Sequence, residues 1–163
     1  AATIGAELAS RITEKLEQLG VIDFSKVKIE PLFEEMVESI HSFYPKLDRA
    51  ETIAALNERE SKMSTGIMHS VGVPHALVPS VEGSIGAIGI SRSGIDYDSL
   101  DKAPVHVVFM ILGASDETER HIQILKQLAL VLQIPGIVDK IVRCQSASDV
   151  YNLISQSEES LSD

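Results

Sequence analysis

Residues 105–132 read VHVVFMILGASDETERHIQILKQLALVL, and this stretch decides the fold class. Its first part, Val105 to Leu112, is apolar on both faces of an extended chain, which is typical of a central strand covered by helices on either side. Asp116 and Glu119 then open an amphipathic helix. Its predicted inward positions are Ile122, Leu125, Leu128, Ala129 and Leu132. A buried strand followed by such a helix predicts an α/β domain.

Further patterns on both sides of this stretch indicate a single domain over residues 1–163. Apolar residues at steps of three and four predict an extra amino-terminal helix over residues 1–20, ending at Gly20. The tail 156–163 is rich in Ser and Glu and is expected to be disordered. The remaining predicted elements are a short strand at Val27 to Ile29, helices from Pro31 to Pro45 and from Asp48 to Arg59, a strand from Ser84 to Ser91, and helices at Ile137 to Arg143 and Ser148 to Ser155.

Composition narrows the classes of partner. The net charge is −10, which opposes phosphate backbones and anionic lipid headgroups, so we expect no nucleic-acid partner. Cys144 is the single cysteine, and an intrachain disulfide is therefore excluded. The longest apolar run, residues 103–114, is shorter than the roughly 20 residues of a membrane-spanning helix. We also see no secretory leader, so we expect a cytoplasmic protein without direct membrane insertion.

His75 has the best surroundings for chemistry among the five histidines. Pro74 holds Val73 extended, and Gly72 allows another backbone to approach closely. A histidine after such a segment lies at a strand end, where ligands are commonly bound. An imidazole near its reference pKa of about 6.5 is largely neutral at neutral pH and keeps a lone pair that can attack phosphorus. His75 is therefore the candidate nucleophile for phosphoryl transfer.

Cations and donors that could hold phosphate oxygens lie elsewhere in the chain. Arg59 could clamp two oxygens with its planar guanidinium, or it could complement the end of its helix. His121 lies in the early turns of its helix, on the inward side, and could meet an anion or could be a hydrogen-bonded structural residue. Ser64 and Thr65 could donate to a phosphate or form a turn. These alternatives stay open on spacing alone.

Other chemistries lack their motifs. A zinc site wants about four ligands, and the chain has neither an HExxH motif nor clustered cysteines, so no metal is expected. The glycines at 83, 86 and 89 fit neither a P-loop nor a dinucleotide-binding fingerprint, and there is no G-x-S-x-G elbow.

The order and spacing of Arg59-Glu60, Ser64-Thr65-Gly66-Ile67 and the run from Val71 to His75 resemble the signature R-E-x-x-x-S-T-G-I-x-x-x-I-A-I-P-H. This signature belongs to type-2 enzyme IIA domains of the bacterial sugar phosphotransferase system, of the fructose, mannitol and nitrogen-regulatory branch. The similarity continues through the helix that contains His121 and assigns residues 21–155 to an enzyme IIA domain.

The resemblance implies a fold, partners and roles. The fold is a mixed β-sheet flanked by helices on both faces, without cofactor or metal. His75 corresponds to the histidine that accepts phosphate from the phosphocarrier HPr and passes it to an enzyme IIB. Arg59 corresponds to the active-site arginine, and His121 to a second histidine that borders the phosphate.

Three functions fit these expectations. The favoured one is a nitrogen-type regulatory enzyme IIA, whose phosphorylation state controls binding to a regulatory protein. The second is a transport enzyme IIA that serves a fructose- or mannitol-type permease. The third is a sensor or interaction domain without phosphorylation, suggested by Met68-His69-Ser70, where the family commonly has a Gly-Asn-Gly-like turn.

Overall fold

A computed structural model describes residues 18–24, 29–62, 70–97 and 103–162. Its strands are β1 Gln18–Phe24, β2 Val71–Gly72, β3 His75–Val78, β4 Ser84–Ile95 and β5 Val105–Ala114. They form a sheet with the order β1-β4-β5-β2, in which β3 also pairs with β5. Strand β1 runs parallel to β4, β4 runs antiparallel to β5, and β2 and β3 run parallel to β5. The sheet is therefore mixed, as expected.

Helices cover both faces of this sheet. The helices are α1 Ile29–Phe43, α2 Arg49–Lys62, α3 Thr118–Leu132, α4 Ile137–Arg143 and α5 Ala147–Ser162. Helices α1 and α2 pack on one face, and α3, α4 and α5 pack on the other. Strand β5 serves both cores, because Val108, Met110 and Leu112 join the first while its neighbours Val107 and Phe109 join the second. The prediction of a strand apolar on both faces is confirmed.

Helix α2 carries candidate site residues at its carboxyl end, and its start is fixed by a side-chain cap. The Asp48 carboxylate accepts a hydrogen bond from the backbone N–H of Glu51 at 3.0 Å, while the Asp48 backbone N–H donates to the Ser80 hydroxyl. Leu56 is buried against the first core. The helix contacts β3, and this contact brings its last turn towards His75.

The amino-terminal prediction was wrong where the structure tests it. Leu19 and Gly20 belong to β1, which pairs with residues 85–91 of β4, so sheet pairing overrides the local helical pattern there. Residues 1–17 of the predicted helix lie outside the described residues. The predicted strand at Val27 to Ile29 also fails at its end, since Ile29 begins α1, and its other residues are not described.

The carboxyl-terminal prediction of disorder was wrong, because α5 continues to Ser162. Val150, Ile154 and Glu158 are buried at intervals of four, so the inward face of the helix continues through the Ser- and Glu-rich tail. The Ser157 hydroxyl donates to the Leu153 carbonyl at 2.7 Å instead of disturbing the helix. Helix α5 contacts α3 and β1.

The inward face of α3 differs by a small rotation from the predicted one. Ile122 is 45% exposed, whereas Ile124 is fully buried. His121 and Leu128 face inward as predicted. Among the described residues no single helix is long and apolar enough to cross a membrane, and α3 with α4 reaches that length only as a pair bent by 91°.

Candidate functional site

His75 is the first residue of β3, at the edge of the sheet. The Pro74 carbonyl accepts a hydrogen bond from the Ile111 backbone N–H at 3.0 Å, which fixes the entry to the strand. Because successive strand residues face opposite sides, the buried Ala76 and Val78 join the α1–α2 core while His75 faces the α3 side. The imidazole is only partly buried, so it can be reached from solvent.

The backbone fixes which nitrogen of His75 is available. Its Nδ1 lies 2.7 Å from the Val73 carbonyl oxygen. A carbonyl can only accept, so this contact requires a proton on Nδ1. In the neutral ring the lone pair is then on Nε2. A nucleophilic role would therefore fall to Nε2, the nitrogen that the backbone leaves uncovered.

His121, on α3, brings a second imidazole to the first. The two ring centroids are 5.7 Å apart, and the ring planes are inclined at 47°. The ring of His121 rests on Gly113, where an added Cβ would lie 2.8 Å from His121 Nδ1 and 3.2 Å from Leu77 Cδ2. Gly113 is thus required for the approach of His121 to the sheet.

The imidazole of His121 is buried without a hydrogen-bond partner among the described residues. The residue is only 5% exposed, and neither ring nitrogen has a hydrogen-bond partner in the described part of the chain. A buried polar group without a partner costs about 1–3 kcal/mol, and such groups are uncommon unless they serve a ligand or another function. The ring itself lies beside that of His75, where an oxygen-rich group could supply the missing partner.

Both imidazoles are held in the neutral form. Burial lowers the pKa of His121 to about 4, with a smaller contribution from the charge of His75. Burial also lowers the pKa of His75, and the Arg59 guanidinium acts in the same direction, whereas the Val73 carbonyl and the Glu60 carboxylate raise it. Near pH 7 each ring therefore keeps one lone pair and one N–H.

Arg59 and Glu60 occupy the last turn of α2, and both are close enough to act electrostatically on His75. Their charges have opposite effects on its pKa. The buried hydroxyl of Tyr97 donates to Glu60 Oε1 at 3.4 Å. The sequence resemblance includes both Glu60 and Tyr97 but assigned a role to neither. The adjacency of Glu60 to Arg59 was a usable signal, whereas Tyr97 is distant in sequence.

The acidic residues at the start of α3 do not crowd the two imidazoles. Asp116 and Glu119 are exposed, while His121 is buried. The Glu117 carboxylate lies 3.8 Å from Arg120 Nη1, which partly offsets its charge. The negative charge at the start of α3 therefore does not exclude an anion at His121.

The structure brings together three of the five predicted site residues: His75, His121 and Arg59. Ser64 and Thr65 lie outside the described residues, as do Met68 and His69. Across the described residues, His, Cys, Asp and Glu side chains form no group of three that could hold a metal ion.

Comparison with protein families identifies the chain. Residues 13–157 match the family model described as phosphoenolpyruvate-dependent sugar phosphotransferase system, EIIA 2. The fructose-specific EIIA component of Haloferax volcanii is 33% identical over 109 residues, which cover 67% of this chain and 71% of that protein. The fructose-specific EIIABC component of Bacillus subtilis is 31% identical over 90% of this chain, but the match spans only 23% of that longer protein.

Solved structures agree with this fold. The nitrogen regulatory protein IIA-Ntr of Neisseria meningitidis superimposes with a TM-score of 0.78 at 27% identity, covering 88% of this chain and 98% of that one. The mannitol enzyme IIA of Escherichia coli, in its complex with phosphorylated enzyme IIB, gives a TM-score of 0.71 at 16% identity, covering 84% and 94% of the two chains, and shows the fold alone. The chain belongs to the type-2 EIIA family of the phosphoenolpyruvate-dependent sugar phosphotransferase system.

Proposed function

We propose that this chain carries a phosphoryl group on Nε2 of His75, which it accepts from the phosphocarrier HPr. One observation carries the proposal: a reachable imidazole is fixed by a 2.7 Å contact between its Nδ1 and the Val73 carbonyl, and its ring centroid lies 5.7 Å from that of a buried imidazole whose two nitrogens have no hydrogen-bond partner among the described residues. Membership of the EIIA family supports the same role.

The transfer step balances without an external proton. The phosphorus–nitrogen bond of the donor phosphohistidine breaks as Nε2 of His75 forms a new bond to phosphorus. The donor ring keeps its other N–H and becomes neutral. His75 keeps Nδ1–H on the Val73 carbonyl, so the positive charge moves to its ring. The hydrogen bond to Val73 stabilises that charge.

Arg59 and His121 are proposed to hold the oxygens of the transferred group. Phosphoryl transfer depends mainly on positioning and on neutralising these oxygens. The guanidinium of Arg59 supplies charge from the α2 side of β3, and an N–H of His121 supplies a donor from α3. The N–H of His121 has no hydrogen-bond acceptor among the described residues, and an oxygen of the phosphoryl group would supply one. Ser64 and Thr65 are proposed as additional donors.

The expected acceptor is an enzyme IIB or a regulatory protein. Among its relatives, the fructose components favour the transport role, and the structural likeness to IIA-Ntr favours the regulatory role that the sequence signature suggested. We retain the regulatory role as the primary proposal and the transport role as the alternative.

Incubation with phosphoenolpyruvate, enzyme I and HPr tests the proposal, followed by mass analysis at alkaline pH, where phosphohistidine survives. We expect one phosphoryl group on the wild type and none on His75→Ala. The matched control is His41→Ala on α1, which should be labelled like the wild type. Absence of label on the wild type with cognate donors would instead favour the sensor or interaction domain.

A second experiment separates the two roles. The phosphorylated chain is mixed with enzyme IIB from the fructose or mannitol branch, and the loss of label is followed. Rapid transfer supports transport. Retained label, together with a change in affinity for a regulatory protein captured from the native host, supports regulation.

A further inference from the structure

Tyr97 is fixed on several sides at the edge of the candidate site. It is only 1% exposed, and its ring meets that of Phe33 edge to face, with centroids 6.4 Å apart and planes at 68°. The same ring covers Gly72, where an added Cβ would lie 2.7 Å from Tyr97 Cζ. Gly72 ends β2, the strand immediately before His75. The position of the Tyr97 hydroxyl is therefore set by the packing of the fold.

This hydroxyl reaches the last turn of α2. It donates to Glu60 Oε1 at 3.4 Å, a long hydrogen bond, and a buried tyrosine hydroxyl usually has such a partner. Glu60 follows Arg59 directly in α2, so the contact restrains the carboxylate of the residue next to the proposed phosphate-binding arginine.

Two charged groups of the described chain act electrostatically on the His75 imidazole, Arg59 and Glu60, both from α2. His121 faces the same ring from α3 but is neutral near pH 7. The pKa of His75 is lowered by Arg59 and raised by Glu60. The position of the Glu60 carboxylate therefore determines how far the effect of the guanidinium is offset.

We propose that Tyr97 is a positioning residue for the phosphoryl acceptor, holding the Glu60 carboxylate where its charge opposes that of Arg59 at His75. The functional consequence rests on the proposed phosphoryl transfer, in which the ring of His75 becomes cationic. The carboxylate then favours the charged ring while the guanidinium favours the phosphoryl oxygens. In the phosphorylated state, Glu60 thus stabilises the positive charge on the ring of His75, and Arg59 stabilises the negative charge on the phosphoryl oxygens.

The test is an NMR titration of the ring nitrogens of His75 in the unphosphorylated chain. Four variants are compared with the wild type: Glu60→Gln, Tyr97→Phe, their combination, and Tyr151→Phe as a control with an exposed tyrosine. Tyr97→Phe keeps the ring on Gly72 and removes only the hydroxyl. We expect Glu60→Gln to lower the midpoint, Tyr97→Phe to lower it by a smaller amount, and the combination to match Glu60→Gln. Tyr151→Phe should match the wild type.

The rate of phosphorylation by phosphorylated HPr against pH gives a second readout. Deprotonated His75 is the nucleophile, so the acidic limb of the profile should move to lower pH in the same order as the NMR midpoints. A Tyr97→Phe midpoint equal to that of the wild type would overturn the proposal, as would additive effects in the double variant. If the wild type accepts no phosphate, the proposed function fails, yet the titration still decides whether Tyr97 positions Glu60.

Discussion

The two imidazoles of the site stand in different surroundings. His75 lies on an edge strand, is partly exposed, and has one nitrogen bound to the backbone. His121 lies on the inner face of α3, is almost completely buried, and has no partner at either nitrogen within the described residues. Both rings are neutral near pH 7, but the pKa of His121 is depressed to about 4.

This difference indicates a division of labour. A nucleophile has to be reached by partner proteins, and its tautomer has to be fixed, and His75 meets both requirements. A group that binds transferred oxygens works best when it is preorganised and shielded from water. His121 meets that requirement at the cost of burying an imidazole that has no hydrogen-bond partner among the described residues.

The largest expected effect separates the two histidines by kinetics. His121→Gln should still form phosphohistidine on His75, but roughly 10²-fold more slowly, because one preorganised donor to the phosphoryl oxygens is lost or misplaced. Quench-flow labelling with phosphorylated HPr measures the rate. The division of labour would be wrong if His121→Gln lost the label completely, as His75→Ala does, while remaining folded.

The second prediction concerns stability against pH. The unfolded chain protonates His121 near its ordinary value of 6.5, whereas the folded chain does so only near 4. Between these values the unfolded state binds more protons, so stability falls as pH falls through this window. At the lower end of this window, protonation of His121 in the unfolded chain lowers the free energy of unfolding by about 3 kcal/mol. His75, whose pKa is also lowered, acts in the same direction.

Urea denaturation of the wild type and of His121→Leu at pH 7 and pH 4.5 checks this. The wild type should lose about 2–3 kcal/mol more than the variant over this interval. Carboxylates present in both proteins cancel in the comparison. Equal losses would show that burial does not depress the pKa of His121.

Sequence patterns predicted much of this arrangement. The doubly apolar run at Val105 to Leu112 indicated a strand with a core on each face, and Pro74 indicated an extended entry to His75. The inward position of His121 also followed from the helical pattern. These features depend on local periodicity or on proline geometry, both of which a sequence displays directly.

Features set by tertiary packing were missed. Ile122 and Ile124 lie close together in the sequence of α3 and are equally apolar, so periodicity could not show that Ile124 rather than Ile122 faces the sheet. The contact of Tyr97 with Glu60 joins positions 37 residues apart, and no local pattern encodes it. In the tail, polar composition suggested disorder, although Glu158 is buried and continues the inner face of α5.

The smallest expected effect on phosphorylation comes from Gly113, the β5 residue against which the ring of His121 rests. Gly113→Ala places a methyl group 2.8 Å from His121 Nδ1 and 3.2 Å from Leu77 Cδ2, so the imidazole has to move away. Overpacking of this kind costs about 1–3 kcal/mol of unfolding free energy. Phosphorylation should slow by less than in His121→Gln, because the donor is displaced and not removed, while the reaction at His75 persists.

Gly136→Ala is the matched control for this change. Gly136 has φ of +77°, and an added Cβ would meet nothing within 4 Å, so the substitution strains the backbone without moving a neighbour. It should cost about 1 kcal/mol, seen as a lower urea midpoint, and leave the phosphorylation rate unchanged. If both glycine variants slowed phosphorylation equally, the slowing would reflect general destabilisation. A loss of rate confined to Gly113→Ala would instead show that the placement of His121 matters to the chemistry at His75.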